Sequence, residues 1–169
     1  MRHYIITILC LIAGITYSTN SHAEVRYRGN VALTDQYGVY LGLETSHGIL
    51  IDGHYAIGAG IGGYMFPKKD ILAFVNPFLT FDYYFKAMNS TPVVGIKVGS
   101  THSLGYNNNT DYKFKNAASI GPEIGYIWKL KSGNGISCRL GCPVFFWKEN
   151  ENSDQTAVVM PKISIGFEF

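Results

Sequence analysis

Residues 158–169 read VVMPKISIGFEF. From Val159 onward the apolar residues take every second place (Val159, Pro161, Ile163, Ile165, Phe167, Phe169), and Lys162, Ser164, Gly166 and Glu168 fill the places between. A period of two is the signature of a strand with one apolar and one polar face. The same pattern recurs upstream and predicts further strands over Glu24–Leu33, Tyr37–Ile51, Tyr55–Phe66, Leu72–Lys86, Pro92–Thr101, Asn116–Lys129 and Ile136–Trp147, with no convincing helix. In the second of these Val39, Leu41 and Leu43 oppose Tyr40, Gly42, Glu44 and Ser46; in the sixth Ile120, Ile124, Tyr126 and Trp128 oppose Ser119, Gly121, Glu123 and Gly125.

The chain opens differently. Arg2 and His3 precede an apolar run from Ile5 to Ile15 and a polar exit ending Ser21-His22-Ala23. A basic start, a short apolar core and small residues before the cut form a secretory signal peptide, expected over 1–23 and removed after Ala23. The run is shorter than the ~20 residues a spanning helix needs, and Cys10 lacks the small residues that lipoprotein processing requires. Residues 24–169 are then one domain, without a later run long enough for a membrane-crossing helix. With 14 basic against 12 acidic residues, nothing favours nucleic acid. Cys138 and Cys142 lie in one predicted strand about 13 Å apart, too far for a disulfide. They read as small apolar residues, and no metal or cofactor is expected.

The connections sort by order. Those after even strands (Asp52-Gly53, 87–91, 130–135) are short, while the last two after odd strands (102–115 and 148–157) are long and polar. Short turns at one end and long loops at the other are the asymmetry of outer-membrane barrels. Outward aromatics gather toward strand ends: Tyr27, Tyr83, Phe85, Tyr126, Trp128, Phe167 and Phe169 at the short-turn end, and Phe66, Phe74 and Phe146 at the other, as two interfacial girdles. The fold class expected is all-β: an eight-stranded antiparallel up-and-down transmembrane barrel, monomeric, in an outer membrane. Turn chemistry leaves one register open. Asp52-Gly53 as a two-residue turn sets Ile51 opposite His54, whereas the faces require Ile51 opposite Tyr55. A three-residue loop with a Gly53 bulge, or a bulge near Ser46–Gly48, resolves the conflict.

Two resemblances bear on this. An alternating strand finishing on Phe resembles the C-terminal insertion signal of bacterial outer-membrane barrels, which implies that Phe167 and Phe169 serve recognition by the assembly machinery. The stretches YRGNVALT, ETSHGILI, GAGIGGYMF, NPFLTFDYYF and SIGPEIGYIW resemble the small, mostly uncharacterised outer-membrane barrel proteins of Bacteroidetes across nearly the whole mature chain. That resemblance implies a fold and a place in the envelope, and no activity.

Alternation turns Arg26, Arg28, Lys97, Lys129, Arg139 and Lys162 inward with Glu44, Asp82, Glu123 and Glu168. Eight strands enclose only enough room for side chains, so these charges should pair across a plugged lumen, as buried charges must. The polar loops carry Tyr106, Asn108, Tyr112 and Lys148 as candidate contacts for a surface ligand. For catalysis, the adjacencies Ser46-His47 and His102-Ser103 suggest a nucleophile and base. His102, Ser103, Asp70 and Asp154 could meet outside the barrel as in lipid A palmitoyltransferases, while the His-x-Ser spacing of lipid A deacylases is absent. Prolines should be scarce in a closed sheet because each removes a ladder donor, yet Pro77, Pro122, Pro143 and Pro161 fall in predicted strands. Pairing Lys129 with Ser137 puts Pro122 opposite Val144, beside Pro143, and a like count puts Pro161 opposite Val144; such a cluster belongs above the bilayer or marks a weak seam in the wall. The reading favours a non-enzymatic barrel serving envelope structure or surface recognition and adhesion, with outer-membrane lipid around it. A lipid-modifying enzyme, acyltransferase or deacylase, is the alternative.

Overall fold

The computed structural model describes residues 23–65, 74–87, 90–103, 116–148 and 155–169. Residues 1–22, all of the expected leader but Ala23, lie outside the described residues. The strand segments are β1 (Val25–Gln36), β2 (Tyr40–Ile51), β3 (Tyr55–Met65), β4 (Phe74–Tyr84), β5 (Thr91–Ser103), β6 (Ala117–Lys129), β7 (Gly135–Gly141), β8 (Val144–Lys148), β9 (Gln155–Val159) and β10 (Lys162–Glu168). All pairings are antiparallel, and each of β1 to β5 pairs with the next strand along the chain. β6 pairs with β7 and β8, β7 with β10, β8 with β9, and β10 returns to β1. Because β7 continues into β8, and β9 into β10, the ten segments are a closed barrel of eight strands. The seam shuts with a reciprocal pair, Gly29 N–H to the Phe169 carbonyl at 2.7 Å and Phe169 N–H to that of Gly29 at 2.9 Å.

Alternation decides what each face meets. On β10, Lys162, Ser164, Gly166 and Glu168 are buried while Ile163, Ile165 and Phe167 are exposed. Around the wall Leu33, Leu43, Leu79, Ile124 and Ile165 are all more than half exposed, as suits an apolar solvent outside. Inside, glycines leave space for rings: Tyr64 lies where a side chain at Gly42 would stand, and Phe78 where one at Gly60 would. Phe74 is buried too, stacked on Tyr64 with centroids 4.8 Å apart. It does not join an outer girdle, because its partner in β3 is the inward Tyr64. Phe66 lies outside the described residues. The short-turn end does carry a ring of aromatics: Tyr27 beside Phe169, Tyr55 beside Tyr83, Tyr83 beside Phe85, and Tyr126 beside Trp128.

The first hairpin at this end keeps Ile51 opposite Tyr55 across Asp52, Gly53 and His54, with an unbroken ladder past Ser46–Gly48. Asp52 and Gly53 both have positive φ, 52° and 69°, the conformation this tight reversal requires. The turn after β6 departs from expectation. Leu130 N–H reaches the Asn134 carbonyl and Gly133 N–H that of Leu130, so Lys129 pairs with Gly135 rather than Ser137.

That two-residue difference moves the prolines. Cys142 N–H donates to Pro122 at 3.1 Å, Met160 N–H to Pro143 at 2.9 Å, and Tyr37 N–H to Pro161 at 2.7 Å. In each pair the return bond would come from a proline nitrogen and is missing. Pro122 and Pro161 therefore flank Cys142, not Val144. Ladder pairing lapses between Gly141 and Val144 and between Val159 and Lys162, and the register is the same on both sides. The break lies inside the apolar belt, since Ile120, Val144 and Val159 form the row above it and Ile124, Leu140 and Ile163 the row below.

Candidate functional site

Among the described residues, nine charged side chains from seven segments meet in the lumen. Asp82 of β4 lies 2.9 Å from Arg28 of β1 and 2.9 Å from Arg139 of β7. Glu168 of β10 accepts from Arg28 Nε at 3.1 Å, Lys129 Nζ at 2.9 Å and the Tyr84 hydroxyl at 2.7 Å. Toward the long-loop end, Glu44 of β2 takes Lys97 at 2.6 Å and Lys162 at 2.9 Å, and also accepts from the Tyr64 hydroxyl. Glu123 of β6 takes the same two lysines, at 3.2 Å and 2.6 Å. Arg139 Nη1, 3.8 Å from Glu123, links the two groups. Every carboxylate thus stands between at least two cations, the arrangement that makes burial of charge tolerable.

Between the charges there is little room. One cavity of about 20 Å³ lies among Glu44, Lys97, Glu123 and Lys162, and another of about 10 Å³ among Arg28, Asp82, Lys97 and Arg139. The first is about the size of one water and the second at the lower bound for one. A wider hollow of about 240 Å³ opens at the short-turn end, lined by Arg26, Arg28, Lys86, Lys129 and Glu168. Arg26 is not in the network: near the start of β1 its exposed guanidinium pairs with Glu24 at the mouth. Alternation gives its face but not its depth.

On the wall, adjacent residues face opposite ways, so Ser46 is buried in the lumen and His47 lies outside. His47 Nδ1 meets the Tyr27 hydroxyl and its Nε2 the Thr45 hydroxyl at 3.1 Å. The four residues taken from the sequence as a catalytic group are not assembled by the described residues. Asp70 and Asp154 lie outside them, and Ser103 is described in backbone only. His102 instead meets Ser100, whose Oγ is 2.9 Å from Nε2, and Asn116, whose Oδ1 is 3.1 Å from Nδ1. Sequence reading passed over this trio although Ser100, two residues before His102, must share its face; the place of Asn116 depends on the β5–β6 register. Tyr106, Asn108 and Tyr112 lie outside the described residues, and Lys148, paired in register with Gln155 at the end of β8, is described in backbone only. Cys138 and Cys142 are free thiols, Cys142 exposed. Among the described residues no cluster of His, Cys, Asp and Glu forms a metal site.

Closed antiparallel strands, an apolar exterior and a charged interior define the class: an eight-stranded barrel of the outer-membrane type. Solved structures share that fold. Neisserial surface protein A superimposes with a TM-score of 0.58 at 12% identity, covering 88% of this chain and 98% of that one. The N-terminal β-barrel domain of Pseudomonas aeruginosa OprF gives 0.54 at 13% identity, over 88% of this chain and all of that domain. A designed transmembrane β-barrel gives 0.50 at 12% identity, over 89% and 97%. No protein-family model matches the sequence, and no curated protein matches it.

Proposed function

We propose that the protein sits as a monomeric barrel in an outer membrane, with its interior plugged by its own side chains, and acts at its outer surface rather than by passing solutes. The observation that carries this is the pairing of Glu44, Asp82, Glu123 and Glu168, each with at least two lumenal cations. Charges that answer one another at mid-lumen leave no ion path between them. The role is then structural, or recognition and adhesion through the long polar connections, with Tyr106, Asn108 and Tyr112 in one and Lys148 at the strand end that leads into the other. Cells producing the protein should carry it in the outer-membrane fraction as a heat-modifiable band, with unchanged uptake of small hydrophilic solutes. Recovery as soluble periplasmic protein, or a marked rise in uptake, would contradict the proposal. One observation favours the second reading, a lipid-modifying enzyme: the hydrogen-bonded Ser100, His102 and Asn116 on the outer wall.

A further inference from the structure

The geometry points to Ser100 as the nucleophile of an acyl-ester hydrolase on the outer wall, with His102 as its base and Asn116 orienting the imidazole, acting on ester-linked acyl chains of lipids in the surrounding leaflet. It rests on the lipid-modifying reading and gives that reading a nucleophile and a substrate class.

Three features of the strands assemble the group. Ser100 and His102 are two apart in β5 and so point from one face, and that face is the outside, since Thr101 between them is buried. The β5–β6 ladder pairs Ser100 with Ala118 and Thr101 with Ala117, so its next step brings Asn116 opposite His102. The contacts follow the order a relay needs: Ser100 Oγ to Nε2 at 2.9 Å, Nδ1 to Asn116 Oδ1 at 3.1 Å. An amide oxygen can only accept, so Nδ1 carries the proton and Nε2 is left free to take one from the serine. Nucleophile, base and orienting group within hydrogen-bond reach is the recurring arrangement of activated serine, and an asparagine can fill the third place.

Height on the wall selects the substrate. Leu79, Val98, Ile120, Val144 and Val159 form one continuous outward row across β4, β5, β6, β8 and β9. Ser100 stands one pair-step above it, about 7 Å along the strand. Ala118 and Phe146 continue its row, and His102 and Asn116 lie one step higher. Ser100 is therefore at the upper edge of the apolar belt, where the acyl chains of a lipid end and their ester groups begin. Its partner on β6 is only an alanine, and on the other side the ladder with β4 lapses at Asn76 and Pro77.

The step balances with water as the second reactant. His102 Nε2 takes the Ser100 proton as Oγ bonds to the acyl carbonyl carbon. The ester C–O bond breaks, and the departing alcohol oxygen, on the lysolipid, receives that proton from the imidazolium. Water, deprotonated by Nε2 in turn, then attacks the acyl-serine; the fatty acid leaves and Ser100 regains its proton.

Full-length mature protein refolded into vesicles tests this. Wild type should bind a fluorophosphonate probe covalently at Ser100 and release fatty acid from the vesicle lipid. Separate vesicles of diacyl phospholipid and of lipid A distinguish the two sources of the ester. Ser100→Ala should abolish labelling and release, and His102→Gln should slow both at least about a hundredfold. Asn116→Ala should slow them less, and Asn116→Asp should restore the rate, a rescue that a purely structural role would not produce. Thr45→Ala, beside the outward His47, should leave both unchanged. Each variant's heat-modifiable band reports that it has folded. Release that survives Ser100→Ala would overturn Ser100 while keeping a lipid-modifying enzyme; no labelling and no release from either vesicle would overturn both.

Discussion

The two faces of each strand follow opposite rules, and β10 shows them side by side. Its inward residues include Lys162 and Glu168, each held by partners on other strands, while its outward residues are Ile163, Ile165 and Phe167. Inside, a charge is tolerated because an opposite charge stands within about 3 Å; outside, the described strands turn mostly apolar residues outward. Two groups of outward polar residues, Tyr27–His47–Thr45 and Ser100–His102–Asn116, bond among themselves. Charge is gathered and paired inside the barrel, whereas its outer wall is mostly apolar.

The sharpest way to break this contrast is to remove one inner partner. Asp82→Ala leaves Arg28 and Arg139 facing each other without their shared carboxylate. The loss should be about 3–5 kcal/mol, read as a lowered midpoint in urea unfolding from vesicles. A charge placed outside should cost somewhat less. Leu33→Arg, on β1 between Leu43 and Ile165, should destabilise by about 2–4 kcal/mol in the same assay. Should Leu33→Arg be neutral, that face would not meet lipid.

The seam offers a smaller test. A side chain at Gly29 would stand 2.5 Å from the ring of Phe169, so the glycine is the notch in which that ring lies. Gly29→Ala should cost about 1–3 kcal/mol by overpacking. With Phe169→Ala the same change should cost much less, and the double-mutant cycle measures that coupling. Full additivity would mean that the ring does not use the notch.

Smallest is the effect of the prolines. Replacing Pro122 and Pro143 together by Ala restores two missing donors at ~0.5–1.5 kcal/mol each, offset by a more flexible unfolded chain. A net gain of at most about 1 kcal/mol is expected, together with slower hydrogen exchange at Cys142 and Met160. Unchanged exchange at both amides would show that the one-sided pairs are not a weak seam.

Faces were legible in the sequence because a strand needs only its period, and Leu33, Glu44, Asp82, Arg139 and Ile165 follow directly from alternation. Neighbours across a seam were harder to read. Placing Ser137 rather than Gly135 opposite Lys129 is a two-residue error, which preserves every face and misplaces every partner. Hence the inward charges could be named but not paired, and the prolines were clustered beside the wrong residue. Arg26 failed for another reason: its face follows from period, while its exposure depends on how near the barrel mouth it lies. Ser100 and Asn116 are not legible from chain neighbours such as His102-Ser103, because strand geometry brings together residues two apart and residues across a ladder.

Whether the inner charges close the lumen by answering one another, as proposed, is read out by single-channel recording in a planar bilayer. Reconstituted mature protein should show no steady ohmic conductance above the bare membrane. A reproducible conductance in the wild type, whose size or ion preference shifts with Arg139→Ala or Glu123→Ala, would show that these residues line a pore and would contradict the claim.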